Sequence, residues 1–95
     1  MYEFSHQSYL ELSERLMGAI RGRDYFSGHV CCVVGDVECK LICTLLIERT
    51  HCDEECQSER VSKLIPIWWE CRTTIGGEEI ANDFSFREFL EVALA

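Results

Sequence analysis

An α+β fold, a four-stranded and mostly antiparallel sheet with two helices packed on one face, is what these 95 residues predict. Three observations lead there. The stretch from Val37 to Glu48 places Val37, Cys39, Leu41, Cys43, Leu45 and Ile47 on one side and Glu38, Lys40, Ile42, Thr44, Leu46 and Glu48 on the other. One unbroken apolar face with a mixed opposite face marks an inner strand of an antiparallel sheet. Gly35-Asp36, just ahead of it, is a two-residue turn of the kind with Gly first. Finally, one amphipathic segment before the strands and one after them each carry a single apolar stripe, and one sheet face can bury both.

The first segment is a helix with Ser5 as its N-cap and Phe4 placed to pack on Tyr9 as a hydrophobic staple. Tyr9, Leu12, Leu16, Ala19 and Ile20 recur at helical spacing, while Glu11, Glu14 and Arg15 lie off that stripe. Gly18 weakens it and Gly22 is a plausible stop. Arg21 and Arg23 fall where cations suit the helix dipole.

Tyr25 to Val34 is the first strand, and its partner follows from arithmetic. Pairing Val34 with Val37 sets Cys32 opposite Cys39, Val30 opposite Leu41, Gly28 opposite Cys43 and Phe26 opposite Leu45, all on the apolar face. The other face then collects Val33 with Glu38, Cys31 with Lys40, His29 with Ile42 and Ser27 with Thr44. A slip of one residue would invert one strand against the other.

Thr50 to Arg60 is polar and acidic and reads as the one long loop. Val61 to Ile75 is the third strand. Simple alternation assigns Ile65, Ile67, Trp69, Cys71 and Thr73 to the core side and Leu64, Pro66, Trp68 and Glu70 to the other. Pro66 lacks an N–H, so this strand lies at an edge, carries a bulge or starts later. Gly76-Gly77 turns the chain into a short strand, Glu79 to Asn82. Ser85-Phe86-Arg87-Glu88 then fits a capping box, with Phe84 and Phe89 as its staple and Phe86, Phe89, Leu90, Ala93 and Leu94 as the stripe. The simplest strand order is a meander.

This length makes one domain, residues 1–95, without a second core. Nine Lys and Arg against seventeen Asp and Glu leave −8, which argues against a phosphate-backbone ligand. No apolar run reaches the roughly 18–20 residues of a membrane span, and the first residues lack a signal peptide's basic start and apolar core. A cytoplasmic setting follows as the expectation, where thiols stay reduced. Neither nucleic acid nor membrane is an expected partner.

Seven cysteines invite a search for chemistry. Cys39 and Cys43 look like a C-x3-C pair, yet on a strand they stand about 13 Å apart, and thiolates sharing an ion must each reach it at about 2.3 Å. Cys32, Cys39, Cys43 and Cys71 read instead as small core residues, with Cys32 and Cys39 close enough to bridge under oxidising conditions. His51, Cys52 and Cys56 have ligand types that suit zinc, but a closed site takes four ligands and no second pair lies near. Metal is therefore not favoured, and no cofactor is expected. His29 and Cys31 share a strand face without an elbow or helix start to activate the thiol. Adjacent carboxylates at Glu54-Glu55 and Glu78-Glu79 fall at turns, with no apolar pocket indicated. The chain therefore does not read as an enzyme.

What remains is a surface. Trp68 and Trp69 point opposite ways, and with Trp69 in the core Trp68 joins Ile42, Leu46 and Leu64 on the open sheet face, with Tyr25 and Val33 near them. Those apolar residues, rimmed by Glu38, Lys40 and Glu70, suggest a small non-enzymatic protein that binds a protein partner or its own copy in a two-fold dimer. The alternatives are a zinc-binding module at His51, Cys52 and Cys56, and an acidic decoy for a basic nucleic-acid-binding protein.

Overall fold

A computed structural model describes residues 1–51 and 59–94. Among them the chain runs α1 (His6–Ala19), β1 (Tyr25–Val34), β2 (Val37–His51), β3 (Glu59–Ile75), β4 (Glu78–Ile80) and α2 (Phe86–Ala93). The four strands form one antiparallel meander in the order β1-β2-β3-β4.

Each helix starts where its cap dictates. Ser5 Oγ accepts from the Ser8 N–H at 3.2 Å and Ser85 Oγ accepts from the Glu88 N–H at 3.3 Å. Both staples form, with ring centroids 5.2 Å apart for Phe4 and Tyr9 and 5.8 Å apart for Phe84 and Phe89. The capping box closes only halfway. The Ser85 N–H donates to the Tyr9 hydroxyl at 3.0 Å instead of to the Glu88 carboxylate, so the box is traded for a tie between the two helices. Burial chiefly, and the Glu88 carboxylate beside it, raise the Tyr9 phenol above its ordinary value.

The β1–β2 register is the one the sequence predicts, from Val34 opposite Val37 to Phe26 opposite Leu45. Gly35 has φ +65° and Asp36 stays at negative φ, the II′ geometry that matches strand twist. Gly76 and Gly77 are both at positive φ, which makes their turn type I′ and closes β3 onto β4.

On the helix face, Val30, Cys32, Cys39, Leu41, Cys43, Leu45 and Ile47 meet Leu12 and Leu16 of α1, its C-cap residue Ile20, and Phe86 and Phe89 of α2 in one core. Trp69, expected in the core, is on this face but 39% exposed, stacked against Phe86 at 5.7 Å and edge-on to Phe84 at 5.4 Å.

The third strand departs from simple alternation. Thr44 pairs with Trp68 and Leu45 with Pro66, leaving Ile67 as the extra residue of a β-bulge. A second register shift, between Glu48 and Arg49, skips Ser62. The first bulge exchanges the two faces for Pro66 back to Lys63, and the second restores them at Val61, which pairs with Arg49. Leu64, expected on the open face, lies opposite Ile47 and is only 3% exposed, so it belongs to the core. Ile65 moves the other way, to a position opposite Leu46, and Ile67 is 60% exposed. The ladder breaks next to Pro66, whose missing N–H falls on the outer side of β3.

Candidate functional site: the open sheet face

The face away from both helices can be built row by row from the strand registers. Tyr25, Leu46 and Ile65 form one row across β1, β2 and β3; Ser27, Thr44 and Trp68 form the next. His29, Ile42 and Glu70 follow, then Cys31, Lys40 and Arg72, then Val33, Glu38 and Thr74. The three-strand part of the face therefore has an apolar end and a charged end, with Ile42 between them, and the Glu48–Lys63 row lies beyond the apolar end.

At the apolar end Trp68 is 52% exposed, Leu46 43% and Tyr25 53%. Ile67 emerges at the bulge beside them. A hydrogen bond of 3.1 Å between Ser27 Oγ and Thr44 Oγ1 fixes the row that carries Trp68. Tryptophan and tyrosine presented together on a strand-held surface are what binding hot spots are made of. Isolated exposed apolar side chains need no explanation, but a contiguous set does.

At the charged end Arg72 reaches Glu70 at 3.4 Å and Glu79 at 3.6 Å. Both ion pairs are solvated and contribute little to stability. Glu70, Arg72 and Glu79, with Cys71 and Asn82, line a shallow depression of about 470 Å³ at the outer edge of β3. Burial pushes the Cys71 thiol up to about 12. A thiol held protonated in this way is not a nucleophile at neutral pH.

Of the residues expected at the site, Trp68, Ile42, Leu46, Lys40 and Glu70 share this face; Leu64 does not, for the reason given above. Ile65 and Ile67 join it instead. The sequence carried one mark of that exchange, Pro66, which flags a bulge without saying on which side the extra residue falls. The His51, Cys52 and Cys56 cluster lies outside the described residues, since only the backbone of His51 is among them. Cys32, Cys39 and Cys43 all lie on the helix face and are buried, Cys32 directly opposite Cys39. His29 and Cys31 lie on the open face of β1, His29 exposed and Cys31 half-buried. No helix among the described residues is long and apolar enough to cross a membrane. Set beside known proteins, the chain matches no protein-family model, no curated protein and no solved structure.

Proposed function

We propose that this is a small, acidic, non-enzymatic cytoplasmic protein whose open sheet face binds a protein partner or a second copy of itself. The observation that carries this reading is the apolar end of that face, where Trp68, Leu46 and Tyr25 stand exposed in neighbouring rows. Trp68 and Leu46 serve as anchors, Ile42 extends the contact, and Lys40 and Glu70 form the polar rim that sets orientation. Nucleic acid and membrane are not proposed as partners, because the net charge of −8 opposes both phosphate and anionic lipid. The decoy alternative calls for carboxylates gathered on one face. On this face Glu38, Glu48, Glu70 and Glu79 are interleaved with Lys40, Lys63 and Arg72, which favours a mixed protein interface instead.

Trp68→Glu tests the proposal. The side chain is half exposed and stands outside the buried core, so the variant keeps its circular dichroism and thermal midpoint. Its affinity for the cellular partner, or for itself, falls by at least tenfold, the size expected for losing one hot-spot anchor. Unchanged association by the folded variant would remove this reading.

A further inference from the structure

The two long edges of the sheet are unlike. The β3 edge is guarded: two bulges break its ladder, Pro66 removes a donor, Lys63, Glu70 and Arg72 line it, and β4 and the Tyr2–Asn82 bridge cover its far part. The β1 edge has none of these devices. Tyr-Phe-Ser-Gly-His-Val-Cys-Cys-Val-Val runs for 10 residues without Lys, Arg, Asp, Glu or Pro, pairs with β2 without a bulge, and has no strand on its outer side among the described residues.

Ladder alternation says which groups are free. Counting back from the two-residue turn, Val34, Cys32, Val30, Gly28 and Phe26 exchange their bonds with β2, and Tyr25, Ser27, His29, Cys31 and Val33 turn N–H and C=O outward. We infer that this edge pairs antiparallel with the same strand of a second copy, about a two-fold axis through the middle of β1, to make one continuous sheet across a dimer.

Three features select a second copy over another partner. The edge is its own complement: a two-fold at His29 sets Tyr25 against the second copy's Val33, and one at Val30 sets Phe26 against the second copy's Val34. Either way an aromatic meets a β-branched residue, a favourable cross-strand pair. Both centres also match outward groups to outward groups and helix face to helix face. Secondly, on a chain of net charge −8, β1 is a strand with no formal charge, so two copies approach here with their like charges held apart and screened. A basic partner would find nothing on it to hold. Thirdly, the guarded β3 edge stops the pairing at two copies and prevents a growing fibre.

This inference does not depend on the open-face reading, and sedimentation equilibrium on three variants separates them. The wild type sediments at twice its 11.0 kDa. His29→Pro removes an outward N–H and no bond to β2, and Val33→Lys puts a charge on the edge; each weakens the dimer at least tenfold with circular dichroism unchanged. Edge pairing requires that Trp68→Glu keep this dimer, whereas a second copy seated on the open face requires that it lose it. A wild type that is monomeric at its highest soluble concentration overturns the inference. So does a dimer indifferent to Val33→Lys, which decides the matter should His29→Pro unfold. If Trp68→Glu alone abolishes the dimer, the second copy sits on the open face and the edge pairing falls.

Discussion

Arg49 occupies a helix-face position of β2 where an unbroken apolar run would put a hydrophobic side chain. Its Nη2 donates to the Ile20 carbonyl at 2.7 Å and to the Arg23 carbonyl at 2.8 Å, so a cation from the sheet satisfies the C-terminal end of α1. Sequence alone pointed to Arg21 and Arg23 for that task, because dipole rules count only neighbours in the chain. The cysteines are easier to read. Their alternation in β1 and β2 put Cys32, Cys39 and Cys43 in the core, and they are there. Burial pushes Cys43 up to about 11 from an ordinary value near 9, and Cys71 up to about 12. Cys32 is raised as well, first by its hydrogen bond with Cys39 and then by burial. A thiol that ionises less readily when folded leaves stability unaffected below the ordinary value. Above it the unfolded chain sheds protons that the folded chain keeps, so folding weakens as pH rises. Urea midpoints measured from pH 7 upward should therefore hold steady to about pH 9 and decline between about 9 and 12, and replacing Cys43 with Ala should flatten part of that decline.

At the scale of the element, helices and hairpin were legible because caps, staples and turns are local and each carries its own chemistry. β3 was legible only in part. Alternation set the faces correctly from Trp68 to Thr73, failed from Ile67 back to Lys63 and was restored at Val61 by the second bulge, since one unpaired residue exchanges the faces and nothing within three or four positions marks which residue that is. The observed register makes a clear prediction. Leu64→Ala removes a buried side chain and should cost about 2–5 kcal/mol. Ile65→Ala, on the half-covered open face, should cost about 1 kcal/mol or less. Simple alternation would reverse that order, so urea denaturation of the two variants reads the bulge directly. Equally, β2 and β3 extend further than the sequence implied, through His51 and from Glu59, because backbone pairing can carry a polar stretch that side-chain patterning assigns to a loop.

As a whole, the molecule measures 50 × 23 × 18 Å, long in one direction because β2 and β3 outreach the helices. Its two-layer architecture was predictable from the count of apolar faces. The make-up of the open face was predictable in outline, through Trp68, Ile42 and Leu46, and the expected meander already put β1 at an edge, since the first strand of a meander has a neighbour on one side only. Strand order also decides what the Tyr2–Phe4 segment does. The Tyr2 N–H donates to Ala81 O at 2.8 Å, Asp83 returns its N–H to Tyr2 O at 3.2 Å, and the Phe4 N–H donates to Asp83 Oδ1 at 2.7 Å. That last bond joins residues 79 positions apart. Closing so large a ring offers little until the hairpins and helices it spans are already packed, which makes this strap a late event in folding and an early one in unfolding. Asp83→Ala should accordingly speed unfolding roughly tenfold while leaving the refolding rate nearly unchanged in stopped-flow experiments. The lifetime of the folded chain, more than its speed of formation, should thus respond to a buckle of three hydrogen bonds between its first residues and the 81–83 segment.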